Sequence, residues 1–288
     1  MTLITTLLAG PFVQHAGDRL VTGGPGGPDP EANKTVLYLA KDAVVSIGYT
    51  GLAQLDGKPT DQFLAEVLIG DPLSVPPPML IMRAGRRERR DIGLATTQLM
   101  AALSSAVQRV PIAHRKYAPI VMLSGWRWRR KGPKNRDRGT FVWVLHPHGT
   151  TYHVRRERPA LGQVRLSGVP AGRLRKDEVD RYLDQLLALP LPPDPAMSTN
   201  LLAELTREVA DRSAAAGDPT VGRDCMTISM PAPYRTREIQ IRFVPDPLSG
   251  SSPKTYSPWV VGPELVVSPR MMSYTWSTRL GPFAVRLV

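Results

Sequence analysis

The chain is short of cysteine, of long apolar runs and of acidic residues, and each shortage closes off a class of protein. Cys225 is the one cysteine among 288 residues, so no internal disulfide frames the fold, and a reducing cytoplasm is the expected compartment. No stretch approaches the roughly 18 apolar residues of a membrane span. Leu3–Phe12 is apolar but is broken by Gly10-Pro11 and has no basic segment ahead of it, so neither a signal peptide nor a membrane partner is expected. Five histidines (15, 114, 146, 148 and 153) lack the spacing of metal ligands. The Gly23–Gly27 stretch lacks the Lys-Ser/Thr of a phosphate-binding loop. No metal or cofactor is therefore expected.

The shortage of acid leaves a formal charge of +12, from 37 basic against 25 acidic residues. Much of the excess sits in Arg86–Arg90 and in residues 126–138, where Trp126 and Trp128 interleave with arginines. Aromatic and basic residues alternate in this way in single-strand binders, which keeps nucleic acid as an alternative partner. No RRM, KH or zinc-knuckle pattern accompanies it. The favoured reading is a solvated basic hairpin loop at about 126–139 with its tryptophans packed on one face.

What is present is enough apolar residue, 42%, for one large domain over 1–244, followed by a Pro/Ser-rich extension, 245–288, packed on it. Two hairpins open the chain. Residues 3–9 and 12–18 flank Gly10-Pro11, which sets residue i opposite residue 21 − i and brings Thr2 to the Asp18–Arg19 end. Residues 35–40 and 43–50 turn at Lys41-Asp42, placing Lys34 opposite Tyr49–Thr50, just before Gly51. Counting thus yields two separate pairs, Thr2 with Asp18 and Lys34 with Gly51.

Downstream, the spacing predicts a helix over 57–68 capped by Thr60 or Asp61, a proline-rich stop at 72–78, a short strand at 79–83 and a helix over 91–110. Strands follow at 119–128, 139–146 and 150–156, with 161–169 continuing them, then helices at 176–189 and 198–216 and strands at 221–230 and 237–244. Strand runs alternating with helix pairs predict an α+β fold, a four-layer αββα sandwich of two stacked antiparallel sheets with helix pairs outside.

These residues resemble the proteasome-type branch of the N-terminal nucleophile (Ntn) hydrolases, that of HslV and the proteasome beta-subunits. Thr2, Asp18 and Lys34 reproduce that branch's Thr, Asp and Lys at both sixteen-residue spacings. Ile47–Ala53 is similar to its strand-to-helix turn, which implies that the Gly51 amide forms an oxyanion hole. Asp218 lies where the family holds an Asp near the terminal amine, while the companion Ser three residues later is Val221 here. The resemblance implies a threonine peptidase or other amidohydrolase. Catalytic Thr2, Asp18 and Lys34, with Arg19 and Asp218 in support, would act on a peptide or other amide substrate. It also implies a homo-oligomer and leaves open an ATPase partner.

The chemistry is coherent. Once Met1 is removed, the α-amine of Thr2, which titrates near ~7.7–8.0 when unperturbed, serves as base for its own hydroxyl. A cationic Lys34 nearby favours the neutral amine, and Asp18 keeps Lys34 in place.

Overall fold

The computed structural model describes residues 2–8, 12–24, 27–29, 34–70, 90–128, 139–157, 163–167, 180–182, 184–185, 188, 194–232, 238–248, 277–280 and 283–287. Strands β1 (Ile4–Leu8), β2 (Phe12–Asp18), β3 (Val21–Gly24), β4 (Gly27–Asp29), β5 (Thr35–Leu39) and β6 (Ala43–Thr50) come first. The short β7 (Gln54–Leu55) and β8 (Lys58–Pro59) lead into helices α1 (Thr60–Ile69) and α2 (Ile92–Arg109) and a 3-10 turn, Ile112–Tyr117. Then come β9 (Ile120–Arg127), β10 (Gly139–His148), β11 (Thr151–Glu157), β12 (Gln163–Ser167), helix α3 (Pro195–Ala215), β13 (Cys225–Pro231), β14 (Glu238–Val244), β15 (Ser277–Leu280) and β16 (Phe283–Leu287).

Two large sheets result. One runs β12-β1-β2-β13-β14-β16-β15 and is antiparallel apart from the β14–β16 pair. The other, β11-β10-β9-β6-β5, is antiparallel throughout. The fold is mixed α+β. β5 and β6 are apolar on both faces, as strands covered on both sides must be. Val36, Tyr38, Val45 and Ile47 pack with Leu64 and Leu68 of α1 and Leu99 and Leu103 of α2. Their neighbours Leu37, Leu39 and Val44 pack with Ile4, Leu8, Val13, Met226 and Ile228 of the seven-stranded sheet. On that sheet, Leu7, Phe12, Ala16 and Cys225 pack instead against Leu202 and Ala203 of α3. Period-2 alternation thus assigns each strand residue to one of two seams.

Several expectations shift. The 161–169 segment forms a strand but does not continue β9–β11. After the edge strand β11, the chain crosses to the other sheet, where β12 pairs with β1, Ile4 lying opposite Ser167. An open edge on β1 would leave a row of unpaired amides, and β12 covers it. The first helix starts with Pro59 as its capping residue and no side-chain cap, because the Thr60 hydroxyl donates to the Leu52 carbonyl at 2.7 Å. α3 begins three residues early, where Asp194 accepts from the Ala196 amide at 2.9 Å and Pro195 occupies the first turn. Within the 245–288 extension, β16 lies parallel to β14 and prolongs the sheet. The 72–78 stop, the 79–83 strand and most of the 176–189 helix lie outside the described residues. No described helix is long and apolar enough to cross a membrane.

Candidate active site

Both hairpins fold in the counted register. Ile4 faces Gly17 and Leu8 faces Val13; Thr35 faces Gly48, and the Tyr49 amide donates to the Lys34 carbonyl at 3.1 Å. Because the two sheets stack, the open ends of the hairpins meet. The two counted pairs become one cluster through a contact that counting did not reach: Lys34 Nζ donates to Asp18 Oδ2 at 2.9 Å, with side chains 3% and 0% exposed.

The Asp18 carboxylate is held on every side. Oδ1 accepts from the Leu3 amide at 2.8 Å, while Oδ2 accepts from Lys34, from the Gly222 amide at 3.0 Å and from the Leu20 amide at 3.2 Å. Lys34 Nζ also donates to the Leu20 carbonyl. A buried carboxylate is tolerated only when it is paired and fully hydrogen-bonded, and this one is. Through Leu3, the same carboxylate fixes the backbone just behind Thr2.

Thr2 is itself buried, and its main-chain nitrogen donates to Thr50 Oγ1 at 3.2 Å. Gly51 follows with φ +102°, and a Cβ there would meet the Tyr117 carbonyl oxygen at 2.5 Å. Both the left-handed conformation and the close approach require glycine. The Arg19 guanidinium stacks 4.8 Å over the Phe243 ring, and its amide donates to the Asp224 carbonyl. Asp218 accepts from the Thr220 hydroxyl at 2.8 Å, and its amide donates to Ser213. Val221 packs with Leu3, Leu205 and Val209.

Sequence reasoning missed three participants. Leu20 contributes a backbone carbonyl and amide, to which no side-chain pattern points. Gly222 brings its amide to Asp18 because its backbone lies against Leu20, where a Cβ would meet Leu20 Cβ at 2.8 Å. Thr50 had a legible signal. Even-numbered residues of β1 and β6 share the seam between the sheets, and both Thr2 and Thr50 keep that parity.

Other chemistry-bearing residues are elsewhere. Burial pushes the Cys225 thiol up to about 12 within the α3 seam, so it is a core residue. In the basic segment, Trp126 is buried with its indole N–H on the Met230 carbonyl, Trp128 donates to the Lys41 carbonyl, and Arg127 pairs with Asp42 at 2.8 Å. Trp126 is part of the core, and Trp128 packs at its rim. Residues 129–138 lie outside the described residues. Among the described residues no group of three His, Cys, Asp or Glu is disposed to hold a metal ion.

No protein-family model and no curated protein matches the chain. Among solved structures it matches Anbu (ancestral beta-subunit) from Yersinia bercovieri, 12% identical over 80% of this chain and 82% of that one, with a TM-score of 0.48. It also matches Anbu from Hyphomicrobium sp. strain MC1, 10% identical over 80% and 82%, TM-score 0.45. The Anbu complex from Pseudomonas aeruginosa, described as a helical assembly, is 11% identical over 80% and 81%, TM-score 0.46. Likenesses at these levels carry no inference about activity. They do correct the branch expected from sequence: these neighbours are Anbu proteins, not HslV, and the two antiparallel sheets do not by themselves establish the Ntn arrangement of HslV.

Proposed function

We propose that this chain is a proteasome-like N-terminal threonine amidohydrolase, built as a four-layer αββα domain over 1–244 with 245–288 packed on it. The observation that carries the reading is the buried Asp18–Lys34 pair at 2.9 Å, tied through the Leu3 amide to the residue that follows Thr2. Removal of Met1 frees the Thr2 amine. That amine takes the hydroxyl proton as Oγ attacks the amide carbonyl; the oxyanion forms beside Gly51, and the proton passes to the departing amine. An ester of Thr2 remains, and water, activated by the same amine, hydrolyses it. Lys34 holds positive charge at the site and Asp18 holds Lys34.

The test is intact mass followed by activity. Expressed protein lacking Met1, cleaving a fluorogenic peptide amide and labelled by a β-lactone at Thr2, is the expected result, with both activities lost in Thr2→Ala. Full retention of Met1, or undiminished hydrolysis by Thr2→Ala, would remove the mechanism. A second reading, a catalytically silent subunit of the same fold, is favoured by one observation: Thr2 is only 3% exposed. It predicts an unlabelled Thr2 in fully processed protein.

A further inference from the structure

An N-terminal amine serves as base only if its lone pair points at its own side-chain hydroxyl. Rotation about N–Cα is otherwise free, so a partner must take one of the amine hydrogens and fix the rotor, as the third group does wherever a nucleophile is paired with a base. Of the groups around Thr2, the Asp18 carboxylate is committed to three backbone amides and Lys34. Val221, packed on Leu3, has no polar atom in its side chain. The one described acceptor for the Thr2 nitrogen is Thr50 Oγ1, at 3.2 Å.

Thr50 suits the role. It closes β6 in register with Ile120 of β9, so its backbone is held by the sheet, and it is 4% exposed. Its β-branched side chain has few χ1 states to choose from. We infer that Thr50 is the positioning residue for the Thr2 amine, its Oγ1 accepting one N–H and so turning the nitrogen lone pair toward the Thr2 hydroxyl. This rests on the threonine mechanism proposed above and adds to it the residue that orients the base.

Thr50→Val keeps the shape and removes the acceptor; Thr50→Ser keeps the acceptor. With a fluorogenic peptide amide and Met1-free protein, Thr50→Val should lower kcat roughly 100-fold, the scale of a misplaced reacting group, with KM nearly unchanged. The acidic limb of its rate profile should move to lower pH, because the ammonium form has lost an acceptor that stabilised it. Thr50→Ser should restore most of kcat and the position of the limb. If Thr50→Val does not fold, Thr50→Ala is read by the same criteria. A Thr50→Val enzyme with the parent's kcat and limb, or a loss that serine fails to restore, overturns the inference. A processed parent whose hydrolysis depends on Thr2 but is indifferent to Thr50→Val defeats this inference alone; retained Met1 in the parent defeats the mechanism and the inference together.

Discussion

Among the buried polar clusters of β2, two that lie three residues apart are built on opposite terms. At its end, Asp18 is charged, and four donors surround it. In its middle, His15 also reaches from the seven-stranded sheet to the five-stranded one, where Nδ1 lies 3.1 Å from Ser124 Oγ, and Nδ1 lies 3.3 Å from Oγ1 of Thr6, its neighbour on β1. Its Nε2 has no hydrogen-bond partner among the described residues and lies against Gly48, in the space that a Cβ there would need. The first site admits charge and is completed by it. The second excludes charge, and burial lowers the His15 pKa to about 3. A core of this kind does not separate polar from apolar; it separates groups whose partners are complete from groups that must stay neutral.

The largest break comes from removing one partner of the complete cluster. Lys34→Met leaves the Asp18 carboxylate buried without its cation, and about 3–5 kcal/mol of stability should be lost, measured by chemical denaturation, together with all hydrolysis. Adding Asp18→Asn to Lys34→Met should recover part of that stability but no activity. If the double variant were less stable than the single one, the cost would not be that of an orphaned charge.

His15 gives the second cluster a proton dependence of its own. Its folded pKa of about 3 lies below the unfolded 6.5, so between those values the unfolded chain binds a proton that the folded chain refuses. Stability is therefore full above pH 6.5 and falls as the pH drops toward 3, by about 1.4 kcal/mol for each pH unit at most. Denaturation midpoints between pH 7 and 5 sample this term above the usual carboxylate range, and comparison with a His15 variant separates it from the four other histidines. His15→Gln should flatten the slope there; an unchanged slope would assign it to other groups.

Much of this was legible. Gly10-Pro11 and Lys41-Asp42 dictate two registers, and these set the strand positions of Thr2, Asp18, Lys34 and Gly51. Turn chemistry is local, so it can be read locally. The Asp18–Lys34 contact depends on how one sheet stacks on the other, and no count along a strand contains that. The move of β12 to the edge of β1 is a long-range choice of the same kind. Gly222 and Leu20 act through backbone atoms, which carry no residue-specific signal, whereas Thr50 was available from parity alone. The Trp-Arg alternation left two readings open because a tryptophan that closes a core reads the same as one that stacks on a base.

A milder break of the complete cluster works through shape. Gly222→Ala puts a methyl group 2.8 Å from Leu20 Cβ and 2.9 Å from the Leu20 nitrogen, so the backbone that brings the Gly222 amide to Asp18 must move. Overpacking of this order costs about 1–3 kcal/mol, and the loss of one donor to Asp18 should lower activity more than Lys58→Ala does. Stability equal to the parent's would mean that the two loops yield freely and do not define the site.

The smallest effect sharpens the contrast by repeating the charges without the burial. Lys58 Nζ lies 2.6 Å from Glu66 Oε2, a shorter approach than Lys34 makes to Asp18, yet its side chain is 40% exposed. Water solvates the ammonium whether or not the carboxylate is present, and salt screens what attraction remains. Lys58→Ala should therefore cost no more than about 1 kcal/mol, with the loss shrinking at high salt and no change in activity. If it cost as much as Lys34→Met, distance and not burial would govern the charge pairs of this protein, and the reading of Asp18 as a site completed by its four donors would fall with it.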